Sequence, residues 1–182
     1  MSRNLIINNT FKRFYSLTSA SNQKINHVAI VGSGLMGSGI AQVTAQAGFN
    51  VTLVDQNEKI LNKAISSIQK SLTRSTKKKF EGKIAEQEQF IAEVLNRIKV
   101  ANAVDKGAEK ADLIIEAIVE NMKVKHSLFK QLDEISPPET IFTSNTSSLP
   151  IADIAEPCSR KDKFGGLHFF NPVPMMKLLE VS

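Results

Sequence analysis

Three histidines occur in this 182-residue chain, and one of them, His168, stands in the run Gly166-Leu167-His168-Phe169-Phe170-Asn171-Pro172, twelve residues before Glu180. A neutral imidazole can take a proton from a hydroxyl group, and a carboxylate beside it can orient the ring and stabilise the imidazolium. The two residues lie on separate extended segments, and the turn Asn171-Pro172-Val173-Pro174 could fold one against the other. Glu180 sits in an apolar stretch and would be costly to bury without a cationic or protonated partner. A histidine among apolar neighbours is more often a core residue tied to a backbone carbonyl, and residue types alone favour that reading.

A second group is Gly32-Ser33-Gly34-Leu35-Met36-Gly37, which has the spacing GxGxxG. Alone the pattern marks only a turn, but here it follows the β-branched run His27-Val28-Ala29-Ile30-Val31 and opens a helical pattern. In that context Gly32 permits a tight turn, Gly34 lets the backbone approach a pyrophosphate, and Gly37 lets helix and strand pack closely. The free N–H groups at the helix start then face negative charge. Asp55 ends the next strand, about twenty residues downstream, where a carboxylate can accept both adenosine ribose hydroxyls. Gln56 and Asn57 follow it and no arginine stands near to hold a 2′-phosphate, which selects NAD over NADP. Asn57 also suits the cap of the helix that follows.

The third group is Ser144-Asn145-Thr146-Ser147-Ser148, directly after the apolar run Ile141-Phe142-Thr143. Ligands meet the carboxyl ends of parallel strands, so this loop would face the same crevice as the glycine turn. A run of small hydroxyls can equally cap a helix, with Ser147 or Ser148 at the start of the segment from Ile151, and both readings stay open.

Apolar runs and helical stripes alternate along the body. Strands are expected at 27–31, 51–54, 98–100, 112–118 and 141–143, with further extended segments at 164–170 and 177–181. Helices are expected at 36–47, with Ile40, Val43, Thr44 and Ala47 on one face, and at 58–80, with Ile60, Leu61, Ala64, Ile65, Ile68 and Leu72. Others follow at 85–97, 122–135 and 151–155. This order implies an α/β fold, a doubly wound and mostly parallel sheet covered on both faces. The last segment, Lys177-Leu178-Leu179-Glu180-Val181-Ser182, is strand-like to its end, so a further domain is expected to follow.

Composition narrows the function classes. Hydrophobic residues make up 42% and charged residues 23%, as in a folded globular protein. No run approaches the roughly 18 apolar residues of a membrane-spanning helix. The first 26 residues carry Arg3, Lys12, Arg13 and Lys24, four of the 23 basic residues, and none of the 18 acidic ones, so the body is almost neutral. That argues against a nucleic-acid partner, for which basic residues would cluster on the folded domain. The same leader is rich in Ser, Thr and Asn, the composition of a mitochondrial transit peptide, expected over residues 1–24, with 25–182 as the folded domain. The single cysteine, Cys158, provides neither a disulfide nor a thiolate metal cluster and lies without evident role in a polar segment.

Taken together, GSGLMGSGIAQ, LVDQ, EAIVENMKVK, SNTSSL and GLHFFNPVPMMKLLEV resemble the short-chain L-3-hydroxyacyl-CoA dehydrogenase family, from about residue 25 to the end. The resemblance implies a Rossmann-like domain with a helical hairpin insertion and NAD as cofactor. It implies oxidation of (S)-3-hydroxyacyl-CoA to 3-oxoacyl-CoA in fatty-acid β-oxidation in the mitochondrial matrix. It makes His168 the catalytic base and Glu180 its orienting partner, with Ser147 at the substrate and the nicotinamide ribose. Asn171 would lie near the nicotinamide, Glu120 and Lys125 would line the NAD site, and Ser71 and Lys78 would contact CoA. A single lysine of the Lys77-Lys78-Lys79 run near a phosphate-bearing end is electrostatically sensible. The family also carries a helical carboxyl-terminal domain, absent from these 182 residues, that supplies a site asparagine and most of a homodimer interface. Rival readings are a 3-hydroxybutyryl-CoA dehydrogenase of the same superfamily and a non-catalytic NAD-binding relative.

Overall fold

Short β-branched runs that are apolar on both faces can be satisfied only inside a sheet sandwiched between helices, and that is where they lie. The computed structural model describes residues 24–182, so the leader expected over residues 1–24 lies, apart from Lys24, outside the described residues. Seven strands form one sheet: β1 (His27–Val31), β2 (Asn50–Val54), β3 (Ile98–Ala101), β4 (Leu113–Glu116), β5 (Ile141–Ser144), β6 (Phe164–Phe169) and β7 (Leu179–Val181). Their order is β3-β2-β1-β4-β5-β6-β7, with every neighbouring pair parallel except β6 and β7. The chain winds outward from β1 in one direction and from β4 in the other, so the order reverses between them, the place where a doubly wound sheet opens a crevice.

The helices are α1 (Leu35–Gln46), α2 (Glu58–Thr76), α3 (Ile84–Asn96), α4 (Val104–Ala108), α5 (Met122–Ile135) and α6 (Ile151–Ile154). One core packs α1 to α3 on the sheet through Ile40, Leu61, Ile68, Leu72 and Val94, and the other packs α4 to α6 through Ala108, Phe129, Leu132 and Ile154. The pair α2–α3 is the hairpin inserted between β2 and β3. Gln87 closes it by donating to the Thr73 carbonyl and to Thr76 Oγ1, both at 2.9 Å. Lys79 caps it by lying 4.8 Å from the Phe90 ring centre and 5.2 Å from that of Phe80, a cation over aromatic faces.

Several expectations shift. The buried face of α1 is Gly37, Ser38, Ile40, Ala41, Gln42 and Ala45, with Val43 and Thr44 only half-buried and Ala47 exposed. This face buries small residues because the helix lies close on the sheet. Ile60 leaves the α2 stripe and is 41% exposed. α4 carries no long apolar period and was not expected. Cys158 is a core residue, 3% exposed and packed with Phe129 and Ile154, and burial pushes its thiol up to about 11. No helix among the described residues is long and apolar enough to cross a membrane.

Candidate active site

Strand register sets one row of residues across the sheet: Ala101, Val54, Val31, Glu116, Ser144 and Gly166 face one another in turn. β1, β2, β4 and β5 leave the sheet just beyond this row, and the glycine turn, Asp55 and the Ser-rich loop begin there, while β6 runs on to Phe169.

On the β1–β2 side, Gly32 has φ +103, and a Cβ there would come within 2.5 Å of the Ala117 carbonyl oxygen. Its N–H donates to the Val54 carbonyl at 2.8 Å, which fixes the turn. A Cβ on Gly37 would collide with the Gly32 carbonyl oxygen, whereas one on Gly34 would enter open space. The α1 N-terminus therefore sits against the turn with an open face in front of it. Asp55 Oδ2 accepts the Ser33 N–H at 3.0 Å and the Ser33 hydroxyl at 2.9 Å, and Oδ1 accepts the Asn57 N–H at 3.1 Å. Asn57 caps α2 through the N–H groups of Lys59 and Ile60. Beside Asp55 and Gln56 opens a cavity of about 310 Å³ with apolar walls from Val54, Val104, Ile118 and Leu128. Leu35 projects from the first turn of α1, 73% exposed, and Met36 is half-buried.

On the far side, β7 returns antiparallel to β6 and sets Glu180 opposite His168. His168 Nδ1 lies 2.8 Å from Glu180 Oε2, with the imidazole side chain 23% and the carboxylate side chain 61% exposed. The Phe170 ring centre is 4.4 Å from that of the imidazole. His168 is thus held by a carboxylate rather than by a backbone carbonyl, and Glu180 avoids the expected desolvation cost by staying open to water. Ser147 lines the same groove of about 480 Å³ as His168 and Glu180.

The Ser-rich loop does not cap α6, whose first turn follows Pro150 and has no side-chain cap. Thr146 folds it instead: its hydroxyl oxygen accepts the N–H groups of Ser148 at 3.3 Å and Leu149 at 3.0 Å and donates to Glu120. Glu120 Oε2 pairs in turn with the Lys125 ammonium at 3.0 Å. That ammonium, 1% exposed, reaches both oxygens of the fully buried Glu116 at 2.7 and 2.8 Å. Glu116 also accepts the Ile118 N–H at 2.8 Å and the Ser144 hydroxyl. Burial pushes the Glu120 carboxyl up, but the bonds from Thr146, Lys125 and Ser148 and the Lys125 charge outweigh it, holding the group below its ordinary value. Lys125 is therefore enclosed by the carboxylates of Glu116 and Glu120. The sequence places the Ser144–Ser148 loop at the crevice but reveals neither the buried Glu116–Lys125 pair nor the bonds of Ser144 and Thr146 to Glu116 and Glu120. The signal available was an acid inside the apolar run Leu113-Ile114-Ile115-Glu116-Ala117-Ile118, which demands a buried cation.

Asn171 lines a second groove, of about 280 Å³, with Leu35, Ser38, Ser71, Arg74 and Pro172. Ser71 is half-buried on α2; Lys78 is exposed beyond the end of that helix and does not line this groove. Among the described residues no group of three or more His, Cys, Asp or Glu side chains is placed to hold a metal.

The sequence model of the family described as 3-hydroxyacyl-CoA dehydrogenase, NAD binding domain, matches residues 27–182. The chain belongs to this family. It is 53% identical over 164 residues to a probable 3-hydroxyacyl-CoA dehydrogenase of Caenorhabditis elegans, covering 90% of this chain and 53% of that one. It is 50% identical over 168 residues to the mitochondrial hydroxyacyl-coenzyme A dehydrogenase of Homo sapiens, covering 91% and 54%. The crystal structure of (S)-3-hydroxybutyryl-CoA dehydrogenase from Ralstonia eutropha superposes with a TM-score of 0.79 at 41% identity, over 87% of this chain and 54% of that one. The chain spans about half the length of the curated relatives it matches. An NAD-binding domain of the 3-hydroxyacyl-CoA dehydrogenase family must hold a dinucleotide, and these residues fit one. The open face at Gly34 and the helix start suit a pyrophosphate, and the apolar cavity with Asp55 at its lip suits an adenosine.

Proposed function

We propose that this chain is the NAD-binding part of an enzyme that oxidises (S)-3-hydroxyacyl-CoA to 3-oxoacyl-CoA in fatty-acid β-oxidation. The observation that carries the reading is the His168–Glu180 pair at 2.8 Å, in one groove with Ser147. With Nδ1–H donated to Glu180, the neutral ring keeps its lone pair on Nε2 and can take the hydroxyl proton. Glu180 then faces an imidazolium at hydrogen-bond distance and stabilises the charge that develops. NAD, when bound, supplies the hydride acceptor for the hydrogen on C3. Gly32, Gly34, Leu35, Met36 and Gly37 would hold its pyrophosphate, and Asp55 and Gln56 its adenosine. Glu120, steadied by Lys125, would serve the nicotinamide half together with Ser147 and Asn171. Ser147 would also steady the substrate, and Ser71 and Lys78 would contact CoA.

The leader composition, together with the mitochondrial designation of the human relative, supports a matrix location, and the family resemblance supports a homodimer for the full-length protein. The test is His168→Gln in that protein. Turnover, followed at the absorbance of NADH, should fall about 10²- to 10⁴-fold while NADH binding holds. Unchanged turnover would sink the assignment. NADP in place of NAD should be used poorly because Asp55 would face a 2′-phosphate. A preference for four-carbon substrates is the second reading, favoured by the fold match to the Ralstonia eutropha enzyme, and a chain-length series separates the two.

A further inference from the structure

Asn145 directly follows β5, and its main-chain N–H donates to the Glu116 carbonyl at 2.8 Å. Parallel pairing of β5 with β6 stops there, its last rung being Ser144 opposite Gly166. On the other edge of β6, Gly166 and Ser182 exchange both of their N–H···O bonds, at 2.6 and 3.2 Å. Antiparallel alternation makes His168 and Glu180 the next such pair, which turns the N–H groups of Leu167 and Phe169 the opposite way, toward β5. At the level of Phe169 the β5 backbone has already left the sheet, and the carboxamide oxygen of Asn145 takes the Phe169 N–H at 2.8 Å. A side chain thus supplies the missing rung, next to the residue that carries the imidazole. An N–H donor fixes which amide atom faces it, so the oxygen is committed to this bond.

The loop on the other side of Asn145 is held just as firmly. Ser144 is bonded to Glu116, Thr146 to Glu120, and Ser147 stands two residues on. We propose that Asn145 is a positioning residue that, through Phe169, fixes the His168 imidazole relative to Ser147 across the groove they share. The inference rests on the reading of His168 as the base.

Asn145→Ala and Asn145→Asp in the full-length protein test it, with wild type alongside. Loss of the rung should lower kcat about a hundredfold in Asn145→Ala, the scale of an ångström misplacement of a reacting group, with the NADH dissociation constant held within about twofold. Hydrogen exchange in the segment 164–170 should quicken. Asn145→Asp keeps an acceptor for the Phe169 N–H, so it should restore the slow exchange and recover turnover. Its added charge should move the acidic limb of the turnover pH profile, where the imidazole must lose its proton to act as a base, toward higher pH, because a nearby carboxylate favours the protonated ring. A kcat within about twofold of wild type in Asn145→Ala, or unchanged exchange, overturns the proposal. So does an aspartate variant no better than the alanine, and should the alanine variant not fold, an unmoved pH profile in Asn145→Asp overturns it alone. A wild type that leaves 3-hydroxyacyl-CoA unoxidised removes the base reading instead, and the exchange comparison, which needs no turnover, still decides whether Asn145 holds Phe169.

Discussion

Replacing Lys125 by methionine removes a counter-ion from a place where water cannot substitute for it. The ammonium is 1% exposed and Glu116 is fully buried, and the three donors of the ammonium go to the two Glu116 oxygens and to Glu120. Methionine fills similar volume, so the change is chiefly electrostatic. Glu116 keeps the Ile118 N–H and the Ser144 hydroxyl but faces a dry interior as an unpaired anion. Breaking such a pair costs about 3 to 5 kcal/mol, against a total stability of about 5 to 15 kcal/mol. The companion change Glu116→Gln should cost less, because Lys125 retains the half-exposed Glu120 and the amide oxygen can still accept from Ile118. The double variant removes both charges, so its loss should fall below the sum of the single losses by about 2 kcal/mol, within the range for residues in direct contact. Urea unfolding followed by circular dichroism gives all three numbers. A loss below about 1 kcal/mol for Lys125→Met, or strict additivity in the double variant, would refute a dry ion pair at this position.

Two further outcomes follow from the same structure. In Gly37→Ala the new methyl meets the Gly32 carbonyl, and Gly32 is pinned to Val54, so NADH affinity by fluorescence titration should drop more than about tenfold, on the scale of 1 to 3 kcal/mol for overpacking; Gly48→Ala, where φ is +98 but a Cβ meets nothing, should cost stability alone, and equal affinities in the two variants would count against the glycine turn. Burial pushes Asp133 up, but the Ser159 N–H at 2.7 Å and the Arg160 guanidinium at 2.6 Å hold it below its ordinary value. The stability this gives is complete above the unfolded carboxylate pKa of about 4 and drains as pH falls through the lower folded value. Asp133→Asn should therefore be less stable at pH 7 and lose melting temperature less steeply below pH 4, and parallel curves for the two proteins would exclude the role.

β1, β2 and β5 could be read from the sequence because each is buried over nearly its whole length and its apolar run ends at a glycine, an acid or a hydroxyl run: Val31 before Gly32, Val54 before Asp55, Thr143 before Ser144. The pairing of His168 with Glu180 was foreseeable only as a possibility, since two extended segments joined by a proline-rich turn also admit a one-residue slip that would face the side chains apart. The α1 face was read only in part, because a helix lying close on a sheet buries Gly37, Ser38 and Gln42 beside Ile40 while Val43 and Thr44 stay half-buried. The role of Thr146 was hidden because its partner, Glu120, is 26 residues away, and a hydroxyl run offers the same local signal for a helix cap as for a loop staple. Cys158 stood among charged neighbours in sequence yet packs inward, because a short turn sets local polarity aside.

The register explains why such distant segments act at one place. Val54, Val31, Glu116, Ser144 and Gly166 stand level in five adjacent strands, so Asp55, Gly32, Ala117 and Asn145 emerge from the sheet together. Main-chain bonds carry that level one step further, from Gly32 to Val54, from Ala117 to Val31 and from Asn145 to Glu116. Beyond this step the parallel backbone ladder ends, and side chains take over its work: Asp55 ties the glycine turn to β2, Glu116, itself held by Lys125 of α5, ties β4 to β5 through the Ser144 hydroxyl, and Asn145 ties β5 to β6. Asp55, Glu116 and Asn145 are each spent on joining neighbouring strand ends. A change at any of them should therefore loosen the relation between two parts of the site before it loosens the core beneath, whose apolar contacts lie below the row.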